Sequence, residues 1–310
     1  MRRFNNKLFI FISIVILLPV IMMVTGDMLS GRRIDQLSVE DSYDIVFSGD
    51  SHIQSGINPR FIIYSNAVNI AKGTEHYQLT YLKTKLFIEK TSFNTLVIDF
   101  SPHNLSAFTD NALYGETSME MLDRYFSIID LRTKLKILYH IPFISMRLIP
   151  RFIEQYIQII RTDDIFSLPF YGQFHDSRET NLTDRMIIDA YTEHYVDRDG
   201  NIYGFSDEQI KYLKKTIDLC REHDIEIIFI SPPVYRKYYE MIPDTFMKGY
   251  EYYRQYFSEE YNVHTINMLD FRFPSDYYGD ADHLNSRGAR WFTEYIEDSL
   301  IHLNNSGDQY

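Results

Sequence analysis

One cysteine, Cys220, is all the thiol chemistry in this chain of 310 residues. No intramolecular disulfide can form, and one thiolate cannot build a sulfur-ligated metal site. Set in a helical pattern, Cys220 is expected as a small buried hydrophobe. A basic block is also lacking: the net charge of −12 sets the whole molecular field against a phosphate backbone, which argues against a nucleic-acid partner. The ten histidines form no H-E-x-x-H or other tight ligand spacing, and no glycine-rich phosphate loop is present, so neither a metal nor a cofactor is expected. Asp197-Arg198-Asp199-Gly200-Asn201 lacks the six-position ligand pattern and closing glutamate of a calcium loop. It reads instead as a hairpin turn between Val196 and Tyr203, centred on Asp199-Gly200. Repeats and low-complexity tracts are missing too.

What is present divides the chain unevenly. A composition of 45% hydrophobic and 24% charged residues suits one large folded domain or two small ones. Residues 1–26 differ in kind from the rest: Arg2, Arg3 and Lys7 precede an uncharged run from Leu8 to Val24, interrupted only by Ser13 and Pro19. That run is at the short end of the ~17–25 residues that span a bilayer as a helix, and longer than the ~7–15 of a signal peptide. Val24-Thr25-Gly26 is a poor cleavage site. The expectation is therefore an uncleaved signal anchor, with cleavage as the alternative. The basic flank places the amino terminus inside and the remainder outside the cell (inner or plasma) membrane. Residues 27–41, polar and mixed in charge, fit a spacer, and the acidic remainder would stand off anionic headgroups.

From residue 42 onward the pattern alternates strands and helices. Apolar runs at Tyr43–Ser48, Ala67–Ala71, Thr95–Phe100, Ile225–Ile230 and Val263–Met268 read as five strands. Helical spacing links them at Glu75–Lys90, Ser206–His223, Tyr250–Tyr261 and Ala289–Leu303. This rhythm means a parallel sheet. A segment from about 105 to 180 breaks the rhythm and reads as a helical insertion, rich in Ile, Leu, Phe and Tyr, that packs on the sheet or caps a site there.

Two short motifs fall where such a sheet binds ligands, at the carboxyl ends of its strands. Gly49-Asp50-Ser51-His52 stops the first strand abruptly and presents a serine on a sharp turn. Taken singly these are ordinary turn residues. Near the other end, Asp280 and His283 are two residues apart in a loop entering the last helix, a spacing that lets a carboxylate reach the Nδ1 side of the imidazole. Taken singly, His283 reads as a helix-start histidine and Asp280 or Asp282 as a solvated turn residue. A serine hydroxyl becomes a nucleophile when a base takes its proton, and a carboxylate that fixes the base's tautomer improves it. Ser51, His283 and Asp280 supply those three roles.

On Gly49-Asp50-Ser51 and Asp280-x-x-His283 the chain resembles the SGNH (GDSL-type) hydrolases, over essentially everything after residue 40. G-D-S-H with I-N-P soon after is most similar to the membrane-tethered branch related to alginate O-acetylation and D-alanyl-lipoteichoic acid assembly proteins. The resemblance implies an α/β fold: a flavodoxin-like three-layer sandwich around a central, mainly parallel five-stranded sheet, here added to the amino-terminal transmembrane helix. It implies Ser51 as nucleophile, His283 as base and Asp280 as its partner. The oxyanion hole would comprise the N–H groups of Ser51 and Gly73 with the side chain of Asn104, although Ser101-Pro102-His103-Asn104 stands where the family has Gly-x-Asn-Asp. His52 and His103 flank the site as candidate substrate contacts or as packing residues. The implied function is an extracytoplasmic serine esterase or O-acyltransferase acting on acyl, chiefly acetyl, esters of cell-envelope glycan or on a small acyl ester. The alternative is a non-catalytic subunit that binds glycan beside a membrane-bound acyltransferase partner.

Overall fold

The computed structural model describes residues 40–114, 128–134 and 182–307, with isolated positions before and between. Most of the expected anchor at 1–26, the spacer and most of the expected insertion lie outside them. Among the described residues no helix is long and apolar enough to cross a membrane. Contacts divide the chain into two units, 1–38 with 113–168, and 39–112 with 169–310. In the first, Met121, Tyr125 and Ile129 are buried. The second contains the sheet and every candidate site residue.

Five strands form that sheet: β1 (Ser42–Ser48), β2 (Ala67–Asn69), β3 (Ser92–Asp99), β4 (Glu226–Ser231) and β5 (His264–Asn267). All four pairings are parallel and the order is β2-β1-β3-β4-β5. This is the flavodoxin-like order, in which the crossovers diverge on either side of β1. Five strands and their parallel pairing agree with the sequence pattern, with ends shifted by one to three residues.

The helices are α1 (Ser51–Gly56), α2 (Tyr77–Lys90), α3 (Phe108–Tyr114), α4 (Asp184–Tyr195), α5 (Asp207–Glu222), α6 (Arg236–Tyr239), α7 (Asp244–Tyr261) and α8 (Ser286–Gly307). Registered neighbours Phe47, Val97 and Ile228 share one sheet face with Ile45 and Ile230, and there they join Ile53 and Ile57 beside α8's Phe292, Ile296 and Leu300 in one core. The alternate residues Val46, Leu96, Ile98 and Phe229 are equally buried. Phe229 meets α7's Phe257 with ring centroids 5.5 Å apart, and α2 packs along α5. With both faces covered, strands read as continuous apolar runs rather than alternations.

Two turns are set by glycine. Gly49 has φ +138°, and a Cβ there would lie 2.0 Å from Asp99 Oδ1. Gly200 sits at φ +84° in the expected hairpin, where Val196 bridges Ile202 and Asp197 Oδ1 accepts from the N–H groups of Asp199 and Asn201. Cys220 is fully buried on α5, as its pattern suggested, and burial pushes its thiol up to about 12.

Candidate active site

Because the strands are parallel, β1, β2 and β3 all deliver their following loops to one edge. β1 ends at Ser48, the chain turns at Gly49, and α1 begins at once with Ser51. Asp50 caps that helix, its Oδ1 accepting the His52 N–H at 2.9 Å. Ser51 is partly exposed, whereas His52 to Gly56 behind it are buried. Gly73, past the end of β2, comes beside Ser51: a Cβ on it would lie 3.7 Å from Ser51 Cβ.

His283 stands on the loop before α8, which is closed by the Tyr278–Leu284 bridge and by the Gly279 N–H donating to the His283 carbonyl at 2.9 Å. Asn285 caps α8, accepting from the N–H groups of Arg287 and Gly288 at 3.0 Å each. Gly288 permits the close approach, since a Cβ there would lie 2.3 Å from the Tyr277 carbonyl oxygen. Asp280 has two tasks. Its Oδ1 accepts the His283 backbone N–H at 2.8 Å, and both its oxygens lie 2.9 Å from His283 Nδ1. That contact directs the other ring nitrogen, Nε2, away from the carboxylate; it is shielded from solvent and has no hydrogen-bond partner. The His52 ring is 5.0 Å from the His283 ring, edge to face, which brings the His283 loop to the helix that Ser51 opens.

Asp282 is not the solvated turn residue its sequence suggests. It is 5% exposed, with Oδ2 at 3.2 Å from His52 Nε2 and 3.7 Å from His194 Nε2, and Oδ1 at 3.5 Å from His283 Nδ1. His194 arrives from α4, where Ile187, Tyr191 and His194 share one face at helical spacing. Its Nδ1 pairs with the Tyr238 hydroxyl at 2.6 Å. Four imidazoles thus adjoin in series: His283 edge-on to His52, His52 tilted against His103 at 4.2 Å, and His103 stacked on His194 at 4.8 Å. His194 carried no sequence motif; its only signal was a polar residue at a core position of an amphipathic helix. Among the described residues the ligand atoms of His52, His194 and Asp282 lie within 4.8 Å of one another, as do those of Asp50, His52 and His103 and those of Asp280, Asp282 and His283. Sequence spacing pointed to the Asp280–His283 contact but gave no hint of the other two groupings.

Behind Ser51 lies a second buried network. His103 Nε2 is 2.7 Å from Asp50 Oδ2. The Asn104 amide donates to Asp50 at 2.9 Å and to Asp99 at 3.0 Å, and its oxygen accepts the Ser101 N–H at 2.7 Å. Both amide hydrogens of Asn104 are therefore engaged by carboxylates, and the Gly73 N–H is engaged by Gln54 Oε1 at 2.7 Å. Ser51 opens its helix, so its N–H has no intrahelical acceptor. Of the three expected oxyanion donors, the structure brings Gly73 to the serine with its N–H on Gln54, and sets Asn104 to holding Asp50. His52 and His103, the candidate substrate contacts, are both 2% exposed and spend a ring nitrogen on a carboxylate.

Charge is sorted within the cluster. Burial raises the Asp99 carboxyl and the neighbouring Asp50 charge raises it further, so Asp99 is the neutral acid of the pair. Burial also opposes ionisation of Asp50, but the imidazoles of His103 and His52 outweigh it and hold Asp50 well below the carboxylate range. Asp282 is likewise held well below that range: burial raises it, and the charge of His283 and the hydrogen bond to His52 outweigh the burial. Burial and the nearby His103 push His194 down to about 3 against the pull of Asp282, so it is neutral. For His283 burial pulls downward, yet Asp282 and Asp280 together push it up to about 10.

A family model described as "Protein of unknown function (DUF1574)" matches residues 47–300. No curated protein matches the chain. Among solved structures it is similar to a proposed acylhydrolase from Bacteroides fragilis, at 10% identity and a TM-score of 0.42, over 88% of this chain and 94% of the other. It is similar at 9% identity and a TM-score of 0.42 to a GDSL-like lipase from Bacteroides thetaiotaomicron, over 88% and 96% of the two chains. A proposed platelet activating factor from Streptococcus pneumoniae is similar at 10% identity and a TM-score of 0.40, over 96% and 99%. Likenesses this distant carry no argument about chemistry, which is left to the arrangement of side chains.

Proposed function

For this chain, which belongs to the DUF1574 family, we propose acyl-ester chemistry of the SGNH type, with Ser51 as nucleophile, His283 as base and Asp280 as the carboxylate that orients it. The observation that carries this is the state of His283: Asp280 holds Nδ1 at 2.9 Å, and Nε2 is left desolvated and unpaired beside the helix that begins with Ser51. Ser51 Oγ attacks the acyl carbonyl as its proton passes to His283 Nε2. The tetrahedral intermediate collapses, and His283 returns the proton to the departing alcohol. Water, as in an esterase, or a sugar hydroxyl, as in an O-acyltransferase, then attacks the acyl-serine as His283 takes its proton, and the Ser51 Oγ–acyl bond breaks as that proton returns to Oγ. The oxyanion meets the Ser51 N–H first. The Gly73 N–H, bonded to Gln54 Oε1 at 2.7 Å, would have to exchange that acceptor for the oxyanion, and removing one such donor costs ~10²–10³ in rate.

Residues 1–26 serve in this reading as a membrane anchor that holds the catalytic domain outside the cell membrane, with acylated envelope glycan as substrate. A non-catalytic, glycan-binding subunit beside a membrane-bound acyltransferase is the second reading. It is favoured by the engagement of the Asn104 amide and the Gly73 N–H within the protein.

The test is covalent labelling of the folded chain by a fluorophosphonate, with mass spectrometry to locate the adduct. Stoichiometric labelling at Ser51, lost in both Ser51→Ala and His283→Ala, is expected. Well-folded protein that does not label would refute the catalytic reading. Saturable glycan binding that survives Ser51→Ala would then support the second.

A further inference from the structure

The adjoining histidines hold more ligand chemistry than a serine mechanism uses. Nε2 of His52, Nε2 of His194 and Oδ2 of Asp282 converge: the carboxylate oxygen is 3.2 Å from the first and 3.7 Å from the second. All three residues are at least nine-tenths buried. The longer separation is informative. At 3.7 Å His194 Nε2 is too far from Asp282 for a hydrogen bond, so a buried ring nitrogen aims at the carboxylate without bonding to it. Two donors of one tetrahedral ion, each about 2.0–2.2 Å from it, stand roughly 3.3–3.5 Å apart. The observed separations bracket that value, and small side-chain rotations would bring the remaining edge to it.

We propose that His52, His194 and Asp282 bind one divalent first-row transition-metal ion, zinc by ligand type, through two imidazole Nε2 atoms and one carboxylate oxygen.

Nitrogen and oxygen donors in a two-to-one ratio suit zinc, and a three-residue set leaves the fourth position to water. The neighbouring side chain is built for the task as well. The Tyr238 hydroxyl, 2.6 Å from His194 Nδ1, fixes that ring and directs Nε2 inward, the part that outer hydrogen bonds play around ligating histidines. One carboxylate and two imidazoles around a divalent ion leave a single positive charge; the Asp280 carboxylate nearby offsets it, and the His283 ring, 3.5 Å from Asp282 Oδ1, gives up its proton as the ion binds. Entry runs past Asp280 and His283, the partly exposed members of the cluster, whose side chains are 41% and 23% exposed.

The site stands independently of the acyl-transfer reading, because it is detected by binding and needs no turnover. The full chain is stripped with chelator, dialysed and titrated with Co²⁺, followed by visible d–d absorption, and the cobalt is then displaced by Zn²⁺. One equivalent of cobalt with the intense bands of a four-coordinate site, displaced stoichiometrically by zinc, is expected. His194→Asn, which keeps a polar atom near Tyr238 but removes Nε2, and Asp282→Asn should each lose the bands. Tyr238→Phe leaves every ligand in place and should weaken binding about 10–100-fold. Ser51→Ala should bind as the wild type does. Circular dichroism checks that each variant is folded. Wild-type protein that takes up no cobalt overturns the proposal, and so does binding that His194→Asn and Tyr238→Phe both leave unchanged.

Discussion

The pH dependence of Ser51 reactivity in metal-free protein tests how the two carboxylates act on the base. His283 can accept a proton only when neutral, and Asp282 and Asp280 push it up to about 10 although burial pulls it down. At pH 7 only about one molecule in a thousand then has a neutral base. The labelling rate should therefore climb nearly tenfold per pH unit from pH 6 and level off near pH 10. Asp282→Asn removes a charge 3.5 Å from Nδ1. At an effective dielectric of about 20 that charge is worth roughly 4–5 kcal/mol to the imidazolium, and solvent at the exposed flank of the ring reduces it. The labelling midpoint is expected to move down to about pH 8, which makes labelling at pH 7 about 10–100-fold faster than in the wild type. Asp280→Asn behaves differently: it removes the group that orients the ring, so reactivity should fall at every pH, by up to ~10³–10⁴-fold. The assay is the second-order rate of fluorophosphonate labelling between pH 6 and 10, which needs no knowledge of the natural ester. A wild-type midpoint near 6.5, or a profile that Asp282→Asn does not move, would refute the reasoning.

Other expectations concern the turn and the network behind the serine. Gly49→Ala combines φ +138° with a Cβ 2.0 Å from Asp99 Oδ1, and should cost at least about 3 kcal/mol or prevent folding. A urea midpoint within experimental error of the wild type would contradict it. Asp99→Asn replaces a neutral acid by a neutral amide and should cost less than about 1 kcal/mol. Asp50→Asn removes the ionised partner of His103 and should cost about 3–5 kcal/mol. A larger loss for Asp99→Asn than for Asp50→Asn in chemical denaturation would show that the charge has been assigned to the wrong member of the pair. Lys83→Met leaves Glu75 buried without its cation, the two being 2.6 Å apart and fully buried, and should also cost about 3–5 kcal/mol. A Tm close to that of the wild type would count against it.

The sequence by itself determined the sheet and the two ends of the candidate triad. Strands buried on both faces write themselves as apolar runs, and a glycine-serine turn after the first of them places a hydroxyl at the ligand-binding edge. Asp280 and His283 are three positions apart, so their contact is a local property of one loop that sequence can carry. The long-range partners were not legible. Whether Asp282 faces solvent or core depends on His52 and His194, which lie 230 and 88 positions earlier in the chain; a turn aspartate looks the same in either case. Asn104 was expected as an oxyanion donor, yet its amide is claimed by Asp50 from the end of β1 as well as by Asp99 at the end of its own strand. His194 was invisible because nothing in an amphipathic helix says what its buried polar residue will meet. Spacing along the chain encodes contacts within a turn or a loop. Only the packing of β1, β3, α4 and the α8 loop around one edge decided which carboxylates and imidazoles share a low-dielectric space, and therefore which of them carry charge.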